Sequence, residues 1–130
     1  MKLDHLNLVV PDLDAAQELF TTTFGFDLTM RRGAALAALT GEDGFTLVLA
    51  DSRRCGGDGA PRYPKTFHVG FLQESREAVD ALHARLAAAP VELGHAPRMM
   101  HGSYGFYCTA LGGILFEIST QVGAGGATAG

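Results

Sequence analysis

The sequence predicts an α+β fold: two βαβββ modules forming a partly open mixed β-barrel cleft, with the helices outside. Three observations support this. Short runs with two-residue apolar alternation recur through the chain, the mark of half-buried strands. Each half also carries one stretch with helical spacing directly after a strand. The two halves begin in register, because Asp12 follows His5 by seven residues and Ser75 follows His68 by seven (12 − 5 and 75 − 68).

The first strand is Leu3 to Val10, with Leu6, Leu8 and Val10 on one face and His5, Asn7 and Val9 on the other. Pro11 ends it, and Asp12 caps a helix through about Phe24, with Ala16, Leu19, Phe20 and Thr23 as its inward stripe. Gly25 stops the helix. Strands follow at about Asp27–Arg31, Ala34–Leu39 and Phe45–Ala50, the last two joined by a tight turn at Gly41–Gly44. The second half repeats that order. A strand Thr66–Leu72 carries His68, and Ser75 caps a helix to about Ala89 with Val79, Leu82 and Leu86 as its stripe. His83 lies beside that stripe as an ordinary, partly exposed helix residue. A strand near Val91–His95, a loop, Ser103–Thr109, a turn at Ala110–Gly113 and the strand Ile114–Thr120 complete the copy.

These boundaries define one domain over 1–122: module one 1–51, a linker 52–65 rich in Gly and Pro, and module two 66–122. The tail, 123–130, is expected to be disordered. A module of this kind makes only part of a barrel, so two copies are needed to complete a core. The length suits a single domain, and 47% hydrophobic against 18% charged residues excludes general disorder.

A net charge of −4 argues against a nucleic-acid partner, since phosphate binding needs clustered Lys and Arg. Arg31-Arg32 and Arg53-Arg54 are solvated pairs that could steer a small anion. Cys55 and Cys108 have no CxxC spacing, which supports neither a zinc knuckle nor a redox pair. No apolar run is long enough for a membrane span, and the first ten residues run straight into a strand rather than a signal-peptide core. The expectation is a soluble cytoplasmic protein without membrane or nucleic-acid partners.

Alternation then places the candidate site. In the last strand Ile114, Phe116 and Ile118 form the core face, so Glu117 falls on the other face, with Leu115 and Ser119. His5 and His68 also lie on faces turned away from the packed helices. Two imidazoles and one carboxylate converging in a cleft make a facial triad suited to non-haem Fe(II), and the same set serves catalytic zinc. A lone strand histidine is more often a satisfied structural residue. Three such residues at matched register in a duplicated unit favour a metal site.

With these residues in place, the chain resembles the vicinal oxygen chelate superfamily: glyoxalase I, fosfomycin-resistance thiol transferases, extradiol dioxygenases and bleomycin-resistance proteins. Residues 3–20, "LDHLNLVVPDLDAAQELF", are similar to the opening strand and helix of those proteins, and residues 112–119, "GGILFEIS", to their closing strand. The resemblance covers residues 1–120. It implies paired βαβββ modules, a homodimer, and one divalent ion, Fe(II), Mn(II) or Zn(II), held by His5, His68 and Glu117 and chelating adjacent substrate oxygens.

Departures narrow the choice. Glyoxalase I adds a glutamate on the last strand of the first module, a place held here by Val48, which disfavours that activity. The thiol transferases have a tyrosine ten residues before the glutamate, matched by Tyr107 (117 − 107), but their phosphonate-binding residues have no clean counterpart in 96–105. Extradiol dioxygenases also carry a tyrosine at that place. Their acid–base histidine falls near Arg53-Arg54 here, with His101 as a possible substitute.

The expected site therefore has Tyr107 and His101 as catalytic groups and Asn7, Arg98 and Tyr104 as substrate contacts. The Tyr107 hydroxyl would donate to a developing oxyanion, and the alternative is an aromatic that merely fills a barrel end. Asn7 shares the His5 face. His101 and Tyr104 are placed in a loop at the cleft mouth, Arg98 beside an anionic group, and Met99 and Met100 over the pocket as apolar surface. The expected function is a metal-dependent lyase, isomerase or dioxygenase acting on a small molecule with vicinal oxygens. The alternative is a metal-free, bleomycin-resistance-like protein that sequesters an apolar or aromatic compound.

Overall fold

The structure, a computed structural model, describes residues 1–54 and 61–121. Cys55, most of the linker's Gly-rich stretch and the tail at 123–130 lie outside the described residues. The chain divides into two compact units, Met1–Arg62 and Tyr63–Gly130. Each is a mixed sheet accompanied by one main helix, as the α+β class requires.

In the first unit β1 (His5–Val10) lies parallel to β4 (Thr46–Asp51), followed by β3 (Leu36–Thr40) and the edge strand β2 (Asp27–Arg32). Leu8 and Val10 are buried and His5 and Asn7 exposed, so the face assignment from alternation holds. Asp12 caps α1 (Leu13–Glu18) by accepting from the Ala15 amide at 3.1 Å. The helix does not continue to Phe24 in α form. Residues Leu19–Thr23 widen into a π turn. The Thr21 and Thr22 hydroxyls donate to the Gln17 and Glu18 carbonyls, which competes with the regular ladder. Phe20, buried under Phe24 and Phe26 at ring separations of 5.3 and 5.4 Å, anchors that turn.

In the second unit β5 (His68–Leu72) lies parallel to β9 (Ile114–Thr120), which pairs with β8 (Ser103–Ala110). Two short strands share the far edge of β8: β6 (Glu92–Leu93) opposite Cys108 and Thr109, and β7 (Arg98–Met100) opposite residues 103–105. The helix α2 (Arg76–Leu86) starts where expected, with the Ser75 hydroxyl accepting from the Ala78 amide at 3.0 Å. It ends three residues earlier than expected, in tight turns from Ala88 to the Arg85 carbonyl and from Ala89 to that of Leu86. Val79, Leu82 and Leu86 are buried, as are Phe106, Cys108, Phe116 and Ile118. Each large side chain in that layer contributes about 1.5–3 kcal/mol of burial. Half-buried His83 meets Phe106 edge-on at 4.8 Å, which places the 106–108–110 face of β8 against α2.

The strand carrying His68 is an edge strand, and Val69 and Phe71 are half-buried. Pairing on one side only leaves an alternating ribbon partly wet. The segment expected as a loop before Ser103 contains β7, joined to β8 by a two-residue turn, His101-Gly102, with φ of 46° and 87°. Positive φ at both positions is what a tight hairpin turn of this hand demands.

Candidate functional site

Both units use the same parallel register at the pair that would carry the ligands. In the first, His5 lies opposite Thr46 and Asn7 opposite Val48; in the second, His68 lies opposite Leu115 and Gly70 opposite Glu117. Val48 therefore occupies, in its own sheet, the place that Glu117 occupies in the other. The first unit offers an imidazole and an amide on this face, with no carboxylate at that register position.

The second unit holds the denser chemistry. His68 and Glu117 meet at 3.4 Å between Nε2 and Oε1, with side chains 44% and 25% exposed, so both are open to a ligand. The His68 Nδ1 sits 3.0 Å from the Thr66 carbonyl, which can only accept. A neutral ring thus carries its hydrogen on Nδ1 and turns the Nε2 lone pair toward Glu117. Two acceptors facing each other need a proton or a cation between them. Donors each held about 2.0–2.2 Å from one tetrahedral ion stand roughly 3.4 Å apart, so the observed spacing fits a shared divalent metal. His5 is prepared in the same way, its Nδ1 2.9 Å from the Asp4 carboxylate, which leaves Nε2 as the donor. Among the described residues, no group of three or more His, Cys, Asp or Glu side chains is gathered as a ready-made ion cage.

Tyr107 lies directly across from Glu117 on the same face of the sheet. Burial raises its pKa, and the charge and hydrogen bonding of Glu117 raise it further, so the hydroxyl stays protonated and can donate at neutral pH. The His68 ring stands edge-on to Tyr107 at 6.4 Å, and the His95 ring does so at 6.2 Å. A cavity of about 550 Å³ opens beside Tyr107, lined by His95, Arg98, Met99, Met100 and His101. Three expected residues, Tyr107, His101 and Arg98, are brought together there. Cross-strand partners share a face, so Arg98 opposite Gly105 lies on the Tyr107 side of the sheet.

Tyr104 is not brought to this site. It shares the opposite face with Phe106, and its hydroxyl donates to Asp80 of α2 at 2.7 Å while Arg76 covers its ring at 4.7 Å. The hydrogen bond to Asp80 is the main reason its pKa is raised. Placing Tyr104 in a loop set aside the parity of the expected Ser103–Thr109 strand, which already separates Tyr104 from Tyr107. His95 was missed as a cavity residue for a related reason: it follows β6 in an irregular connection to β7, where no periodicity points its ring. Cys108 is buried against α2, and burial pushes its thiol up to about 11, which leaves it an inert core residue.

These sheets and this site define a class, and the comparisons agree with it. The chain belongs to the Glyoxalase/Bleomycin resistance protein/Dioxygenase superfamily, whose family model matches residues 2–118. Among solved structures, a possible glyoxalase from Bacillus cereus is 39% identical, with a TM-score of 0.78 over 92% of this chain and 98% of that one. A glyoxalase/bleomycin resistance protein/dioxygenase from Nocardioides is 25% identical, with a TM-score of 0.70 over 92% and 83%. A lactoylglutathione lyase from Agrobacterium tumefaciens, 20% identical with a TM-score of 0.71 over 92% of each chain, shares the fold. No curated protein matches the chain. No helix among the described residues is long and apolar enough to cross a membrane.

Proposed function

We propose that this protein is a divalent-metal-dependent enzyme acting on a small molecule with vicinal oxygens, by lyase, isomerase or dioxygenase chemistry. The observation that carries the reading is the His68–Glu117 pair, with the imidazole hydrogen fixed on the far nitrogen by Thr66 and Tyr107 alongside. His68, Glu117 and His5 are the donors proposed for Fe(II), Mn(II) or Zn(II). The bound ion supplies Lewis acidity toward adjacent substrate oxygens. The chain's own residues do the rest. Tyr107 donates a hydrogen bond to oxygen as negative charge develops. Arg98 and His101 orient the substrate from the cavity. The family resemblance implies a homodimer, which sedimentation of the purified chain would show as a doubled mass.

The test is metal content after reconstitution with each ion, read beside His68→Ala and Glu117→Gln. Stoichiometric metal in the parent and a loss of about 100-fold in affinity in either variant supports the reading, since ligand removal costs at least as much as loss of a supporting partner. A parent that takes up no metal, with unchanged thermal stability, would refute it. The apolar Met99 and Met100 walls of the cavity would then favour the metal-free binding protein.

A further inference from the structure

Apart from the metal donors, the cavity beside Tyr107 has a chemical character of its own. Among the described residues, its lining includes one guanidinium and two imidazoles but no carboxylate. Arg98 is exposed, and among the described residues its guanidinium has no hydrogen bond or ion pair. Glu117, the carboxylate opposite Tyr107 on that face, is engaged with His68 and Tyr107. The guanidinium therefore presents its planar fork of donors to whatever enters. Arg98 lies opposite Gly105, two residues before Tyr107 on the same strand, so the sheet between them is bare of side chains. The backbone positions of the two residues are offset by about 7 Å along the strand direction.

His101 adds a second signal. It occupies the first position of the β7–β8 turn at φ 46°, where Asn, Asp or Gly is favoured. That turn holds the His101 ring at the mouth of the cavity, where it joins the lining. His95 completes the ring of groups. Its Nδ1 lies 2.8 Å from the Ala96 carbonyl, so Nε2 is the nitrogen left for a ligand. The apolar wall is braced from behind, because Arg76 of α2 reaches the Met99 sulfur at 3.6 Å while covering Tyr104. The β7–β8 hairpin is thus tied to the helix while Met100 stays buried beneath the cavity.

We infer that this cavity receives an organic oxyanion, a carboxylate or phosphonate with a short apolar chain, gripped by Arg98 and flanked by His95 and His101. The inference rests on the proposed function in naming the substrate class for the same site. Its test is arranged to succeed or fail independently of the metal.

Hexanoate, hexylphosphonate and neutral hexanol are titrated into the full-length protein, metal-loaded and EDTA-treated, with binding followed by NMR of the imidazole and Met methyl signals. At least one anion should bind about tenfold more tightly than hexanol in both preparations, a difference of about 1.4 kcal/mol. Arg98→Gln should abolish that preference while retaining metal like the parent, and Arg98→Lys should keep part of it. Arg32→Gln, on the edge of the other unit, should change nothing. Equal affinity for hexanol and the anions, no anion binding at millimolar concentration, or an unchanged preference in a folded Arg98→Gln would each overturn the inference. Whichever anion binds more tightly identifies the headgroup. Loss of metal binding with retained anion preference would count against the proposed function alone.

Discussion

The two sheets share one backbone plan and differ in what they carry. Both pair their first and last strands in parallel, and both place a histidine two residues before the central register position. At that position the first sheet has Asn7 beside Val48, and the second has Gly70 beside Glu117. The valine removes a ligand where the copy could have had one. The far edges differ as well. In the first sheet β2 runs alone with Leu28 and Met30 exposed, while in the second the edge is divided between β6 and β7, and the β7 hairpin carries the cavity residues. Duplication supplied the scaffold, and substitutions at a few register-matched positions made one copy the chemically loaded one.

The largest effect that would break this comparison is expected at Gly105. A Cβ there would meet the Ile118 carbonyl oxygen at 2.1 Å and the Ser119 Cα at 2.8 Å, both backbone atoms of β9. Gly105→Ala should cost about 3 kcal/mol or more in chemical denaturation and uncouple β8 from β9, because backbone cannot yield as a flexible side chain can. The register-matched position of the first unit, opposite Ala50, is Leu36, which already carries a side chain, and a Leu36→Ala change there should be milder.

An effect confined to the first unit is next. The Asp51 carboxylate is nearly inaccessible and accepts from the Arg53 amide at 2.8 Å and from its guanidinium at 2.9 and 3.1 Å. The Arg53 side chain holds its pKa down, at about 2 against an ordinary 3.8. A depressed folded pKa stabilises above the ordinary value and is lost as acid titrates the group. Unfolding followed from pH 4 to pH 2 should therefore show a falling stability that Asp51→Asn flattens.

The helix caps should show the units as equals. Asp12→Ala and Ser75→Ala each remove one side-chain acceptor from an amide of the first turn, and each should cost about 1 kcal/mol. A clearly unequal pair would mean that one helix contributes little to its own sheet. The smallest effect separates the two faces of the second sheet. Tyr104→Phe should lose about 1 kcal/mol with its Asp80 bond and leave metal retention unchanged. Tyr107→Phe should instead lower turnover, with little change in stability.

Much of this organisation was legible in the chain. The strand parity of His5, Asn7, Leu8 and Val10, both helix caps, the core face Ile114-Phe116-Ile118 and the match of Val48 to Glu117 all follow from local periodicity and spacing. What failed did so where local signals compete. The threonines after Phe20 read as helix, but the Thr21 and Thr22 hydroxyls compete for its carbonyls and the turn takes π form. Tyr104 was placed in a loop although it belongs to the Ser103–Thr109 strand, and the Arg98–Met100 strand is too short to show alternation, so His95 was not seen as a cavity residue.

By itself, then, the sequence determined the repeated strand-helix order and which side of each strand faces a helix, because both follow from contacts a few residues apart. Only the tertiary structure decided that His68 meets Glu117 at 3.4 Å, that Tyr107 stands opposite that glutamate, and that Arg98, His95 and His101 line one cavity. Those meetings depend on register between strands far apart in the chain, and on a hairpin whose edge is set by its neighbour rather than by its own residues.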